Sequence, residues 1–165
     1  MIKVKLLISL AILIAILISC ATIQSYRNLE QPISKTLSTS IGGTIFRLNR
    51  SADLPNAFGK ADLYGGKVDK GYAELKFLGF SDKGELLLSI QDINKSSTET
   101  TMDRYKANPI KVETNVDVLT SEGKNETKFT LDTEKQGEII IAGIKVIFTK
   151  IQPYSISYIL EDTYK

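Results

Sequence analysis

The chain has 165 residues, 42% of them hydrophobic, with 21 lysines and arginines against 19 acids, no histidine, no tryptophan and one cysteine. The missing histidine removes the commonest general base and metal ligand, which excludes Ser-His-Asp and Cys-His catalysis and histidine-based zinc sites. One cysteine excludes a disulfide framework and a thiolate metal cluster.

At the N-terminus, Lys3 and Lys5 precede a charge-free, strongly apolar run, Leu6 to Ser19, that ends on Cys20. The run falls short of the about 20 apolar residues of a membrane span and fits the roughly 7–15 of a secretory h-region. Its end, Leu17-Ile18-Ser19-Cys20, resembles the lipobox of bacterial lipoproteins. The resemblance implies cleavage between Ser19 and Cys20, thioether-linked acyl chains on Cys20 and usually a third on its amine. At roughly 0.8 kcal/mol per buried methylene, two or more chains anchor stably where one does not. Ala21 is not the aspartate that resembles an inner-membrane retention signal in enteric bacteria. The expected place is therefore the bacterial cell envelope, on the outer membrane and facing the periplasm where the host has one. Two other readings compete: a plain secretory cut using Ser19 and Ala21, and a membrane span running on through Ile23, which Thr22, Gln24 and Arg27 weaken.

The domain plan that follows is a signal peptide over 1–19, a lipidated cysteine and tether over 20–34, and one β-rich domain over 35–165. Removing 1–19 takes away two lysines and no acid, so the remaining charges balance and a basic nucleic-acid surface is not expected. Residues 21–34 are mostly polar, contain Pro32 and have no sustained period; as a flexible tether they would reach roughly 20 Å.

From Lys35 the pattern becomes β. Leu37, Thr39 and Ile41 alternate with polar neighbours, Gly42-Gly43 breaks the run, and Thr44, Phe46 and Leu48 resume it, as two strands or one kinked strand. Residues 51–71 form a long glycine-rich loop with its own apolar side chains, Leu54, Phe58, Leu63 and Tyr64. These four either plug one end of the domain or form a contact surface. Gly59-Lys60 lacks the glycine, lysine and Ser/Thr spacing of a phosphate loop.

A hairpin follows, with Ala73, Leu75 and Phe77 on one strand, Ser81-Asp82-Lys83-Gly84 as the turn, and Leu86, Leu88 and Ile90 on the other. Residues 92–108 read as a surface loop from which Met102 and Tyr105 dip back to the core. Ile110 to Val118 alternates as a strand wet on one face. Thr127 to Leu131, Glu138 to Ile141, Ile144 to Ile151 and Tyr154 to Leu160 complete the set, with Ala142-Gly143 as a bend and the last runs expected to be central and covered on both faces. The fold class expected is all-β, an antiparallel sandwich or small barrel of about seven to eight strands.

Acids at Asp62, Asp69, Glu74, Asp82, Asp92, Asp103 and Asp117 keep carboxylate chemistry open, but no pair stands out from turn and solvent-facing positions. The calcium loop D-x-[DN]-x-[DN]-G is absent. The expected protein carries no metal and no cofactor and is not an enzyme. It is a protein-interaction or structural module of the envelope, held to the membrane through Cys20 and contacting envelope proteins. The alternative is a binder of small apolar or amphipathic ligands with an internal cavity.

Overall fold

The structure, a computed structural model, describes residues 22–106, 114–118 and 126–164. The lipobox with Ser19 and Cys20, the first part of the strand expected over 110–118, and most of the turn expected over 121–126 lie outside the described residues.

Ten strands and one helical turn make up the described chain: β1 (Ser25–Leu29), β2 (Thr36–Ser40), β3 (Thr44–Asp53), β4 (Lys67–Phe80), β5 (Leu86–Ser97), α1 (Thr101–Arg104), β6 (Thr114–Val118), β7 (Thr127–Leu131), β8 (Glu138–Ile141), β9 (Ile144–Gln152) and β10 (Ser155–Asp162). They form two sheets, one ordered β1-β3-β4-β5-β6 with β7 also on β5, the other ordered β2-β10-β9-β8. The fold is thus an all-β antiparallel sandwich rather than a closed barrel, with more strands than the expected seven to eight.

The chain forms two compact units. In its described residues the first comprises 22–26, 51–69 and 97–106, and the second 27–50, 70–96, 114–118 and 126–164.

The second unit holds the main core. Phe46, Leu48, Leu75 and Phe77 from the larger sheet pack with Val146, Ile156 and Leu160 from the smaller one, all of them buried. Alternation puts these residues on one face, as strand geometry requires. Tyr158, also in this core, donates its hydroxyl to the Ile45 carbonyl at 2.8 Å, and burial pushes the phenol up to about 12. The hairpin β4/β5 has the expected register, with Leu75 opposite Ile90 and Phe77 opposite Leu88, and a bulge before Gly79. Its turn closes through Gly84 N–H to the Ser81 carbonyl, while the Ser81 hydroxyl accepts from the Lys83 and Glu85 amides.

Gly42-Gly43 separates two strands that belong to different sheets. The Ile41 amide bonds to Tyr154 in the loop between β9 and β10, whereas Gly42 N–H and Gly43 C=O both bond to Phe77 of β4. A Cβ on Gly43 would lie 2.1 Å from the Thr39 hydroxyl oxygen, so the corner needs glycine there.

Two expectations fail. Residues 25–34 are no tether: β1 pairs with β3, the Gln31 side chain accepts from the Arg47 amide, and the Ser34 amide bonds to the Leu160 carbonyl. Leu29 and Ile33 pack on the core. Arg27 is fixed by the Ala142 carbonyl at 2.7 Å and by Asp162. In the run β8 to β10 only β9 and β10 are inner strands, with β8 at the sheet edge, and the run is buried on one face: Ile144 and Val146 point inward, while Ile140 and Ile151 are exposed.

Candidate functional site

The first unit has a small apolar base of Ala52, Leu54 and Val68, all buried. Two turns are built on it. Leu54 donates to the Gly66 carbonyl at 2.8 Å and accepts from the Asp62 amide at 2.8 Å, and Pro55 bridges to Ala61. The chain from Leu54 to Gly66 is therefore a compact loop whose ends meet.

Asn56 organises the first tip. Its side-chain carbonyl accepts from the amides of Phe58 and Lys60 at 2.9 and 3.1 Å, its own amide donates to the Lys60 carbonyl, and its carbonyl accepts from Gly59, whose φ is +69°. Asp62 organises the second: its carboxylate accepts from the Gly66 amide at 3.0 Å and the Thr101 hydroxyl at 3.1 Å, and its carbonyl accepts from Gly65. Both are side chains that take over backbone turn bonding, the role in which Asn and Asp excel.

The third element is α1. Thr100 caps it, with the Asp103 carboxylate accepting from the Thr100 amide and hydroxyl. Its base is fastened by Thr101 N–H to the Pro55 carbonyl at 2.9 Å and by Arg104 to the Lys67 carbonyl at 2.9 Å. Arg104 also grips Glu99 through two nitrogens at 2.8 and 2.7 Å.

These three elements hold their large apolar side chains outward. Phe58 is 89% exposed, Leu63 95% and Tyr64 80%, and Met102 and Tyr105 are exposed by more than half. Tyr64 and Tyr105 meet edge to face with centroids 5.8 Å apart. Of the four residues read from the sequence, only Leu54 is a plug; Phe58, Leu63 and Tyr64 form surface. Met102 and Tyr105 do not dip to a core, because the capped turn carries them out to solvent. The Thr100-x-x-Asp103 pattern was the signal for that turn.

Charge in this unit is locally neutralised. Lys67 bonds to Asp53, which also accepts from the Gln24 amide and the Tyr26 hydroxyl at 2.9 Å each. Lys67 lies 3.5 Å from the centre of the Tyr26 ring. These contacts hold Asp53 below its ordinary pKa, Lys67 first, and raise Lys67 through Asp53. Burial pushes Asp62 up, but the amides of Gly66 and Tyr64 and the Thr101 hydroxyl outweigh it and leave the carboxyl low. Arg104 lowers Glu99, and the Thr100 hydroxyl and amide lower Asp103. Carboxylates held low stay ionised at neutral pH, the opposite of what a general acid needs.

In the second unit, Glu74 is taken up by the Thr44 hydroxyl, Lys76 and Arg47, and Asp92 by Arg50. Among the described residues no three Asp, Glu, His or Cys side chains gather to hold a metal ion, and no helix is long and apolar enough to cross a membrane. What the first unit can do is present rigid apolar tips. Compared with known proteins, the chain matches no family model, no curated protein and no solved structure.

Proposed function

We propose that this protein is a lipid-anchored lipoprotein of the bacterial cell envelope, tethered through acyl chains on Cys20, whose β-rich part acts as a non-enzymatic interaction or structural module. The outer membrane, with the domain facing the periplasm, is its proposed place. The observation that carries the reading is the set of Phe58, Leu63, Tyr64, Met102 and Tyr105, all exposed in one unit on turns that are internally hydrogen bonded. Ordered apolar surface of this kind marks a contact site, because water gains by its removal and the loop entropy has already been spent.

Metabolic labelling with a palmitate analogue tests the anchor: label should enter the wild-type chain and be lost in Cys20→Ala. Photocrosslinkers placed at Phe58 and Tyr64 in the intact envelope test the contact face. Adducts at these positions, and none from a crosslinker at exposed Lys83 on the β4/β5 turn, support the module. Equal crosslinking from all three positions, or no adduct to protein or lipid at any of them, refutes it.

A further inference from the structure

We infer that the apolar face of the first unit rests on the lipid surface that holds Cys20, so that Phe58, Leu63, Tyr64 and Tyr105 enter the interfacial layer of the membrane. The inference builds on the lipid-anchored reading above and names the partner of the same face.

Chain length is the first argument. Gln24 exchanges backbone bonds with Asp53, donating to its carboxylate and accepting from its amide at 2.9 Å each, so the chain is already fixed to the first unit at residue 24. Only residues 21–23 separate it from Cys20, and a fully extended chain gives at most about 14 Å between the Cα atoms of residues 20 and 24. The unit with the exposed aromatics is the unit at which the acylated cysteine joins.

The second argument is desolvation. A loop that enters a membrane interface gives up part of its water, so backbone donors already paired within the loop lower the cost of entry. At the tips the amides of Phe58, Gly59 and Lys60 are all satisfied by Asn56, and those of Gly65 and Gly66 by Asp62.

Side-chain chemistry is the third. Tyrosine rings settle at headgroup depth, where one end is apolar and the other wet, and phenylalanine and leucine side chains bury towards the acyl boundary. Lys60 is the cation at the first tip, and a lysine stem can run along apolar surface with its ammonium among the headgroups. Because Asp53 pairs with Lys67 and Glu99 with Arg104, docking calls on apolar contact more than on attraction to anionic lipid.

The chain has no tryptophan, so Phe58→Trp and Tyr64→Trp each introduce a single tryptophan whose emission can be excited apart from the tyrosines. The full acylated chain, reconstituted into phosphatidylethanolamine and phosphatidylglycerol vesicles, should show blue-shifted emission for both variants. Most of the intensity should be lost when the acyl chains are brominated. Emission that stays water-like and is indifferent to bromine overturns the inference. A protein adduct from the crosslinker at residue 58 also overturns it, while leaving the contact module standing. A chain that carries no acyl group overturns the anchored reading and this one with it.

Discussion

Leu54 and Phe58 lie four residues apart in one loop, yet truncating them should have opposite consequences. Leu54 has no exposed surface and packs with Ala52 and Val68, and its side chain also fills the space beside Gly66. Leu54→Ala removes the equivalent of three methyl or methylene groups, about 2.5 kcal/mol at about 0.8 each. The cavity adds to this, because a base of three side chains that is closed over by hydrogen-bonded backbone collapses only in part, giving about 3 kcal/mol in all. Phe58 is 89% exposed, so Phe58→Ala should cost under about 0.5 kcal/mol. Amide exchange reads both. The Leu54, Asp62 and Gly66 amides, bonded across the base of the loop, should exchange about a hundredfold faster in Leu54→Ala, the factor for about 3 kcal/mol. Phe58→Ala should leave them unchanged. Equal protection in the two variants would refute the division into buried base and presented tip.

Gly71→Ala should be far costlier than Gly84→Ala: both need positive φ, but a Cβ on Gly71 would lie 1.8 Å from the Ile93 carbonyl oxygen, whereas Gly84 faces open space. Urea midpoints should show about 1–2 kcal/mol for Gly84→Ala and at least about 3 kcal/mol for Gly71→Ala. Tyr158→Phe strands the Ile45 carbonyl and should cost about 1–2 kcal/mol. Because the folded phenol titrates above the unfolded one, the wild type should lose stability as pH rises from about 10 towards 12, and the variant should lack that component in alkaline melts. In acid the sign reverses. Asp53, Asp62, Glu99 and Asp103 titrate below their unfolded values, so their contribution is full above about pH 4.5 and fades as pH falls through the lowered values. Amides of the first unit should lose exchange protection before those of β9 and β10, and simultaneous loss would refute the assignment. Ala142 holds φ +50° in the β8/β9 turn, where Asn is better tolerated, so Ala142→Asn should raise the urea midpoint by about 0.5–1 kcal/mol equivalent.

Alternation made most of the sandwich legible. Ala73 to Phe77, Leu86 to Ile90 and Ile156 to Leu160 carry apolar residues at every second position because one face of each strand is buried. Strand β1 was illegible for the converse reason. Ser25-Tyr26-Arg27-Asn28-Leu29 is almost wholly exposed, and it is held by its ladder and by Arg27 and Tyr26 bonds that leave no hydrophobic period. The run Ile144 to Ile151 misled in another way: apolar composition on both faces suggested double cover, but β-branched residues also favour exposed strand positions. At the candidate site, the sequence located the loop and its apolar members without telling Leu54 from Phe58. That distinction depends on where Asn56 and Asp62 turn the chain, and their bonding partners are set by the folded loop. Met102 and Tyr105 reach the same unit through contacts of Thr101 with Pro55 and Asp62, which no local pattern encodes.

The pairing of β2 with β10 sets the order in which the molecule can be finished. Thr36 lies opposite Ile159 and Ser40 opposite Ser155, and β10 is an inner strand with β9 on its other side. An early segment therefore waits, unpaired, for one more than a hundred residues further along the chain. Until then the smaller sheet lacks the strand contributing Ile156, Tyr158 and Leu160 to the core, and the larger sheet has only β8 and β9 to close against. Such long-range closure slows folding. Until β10 is in place, β2 has no neighbour in its sheet and the core stays open on that side.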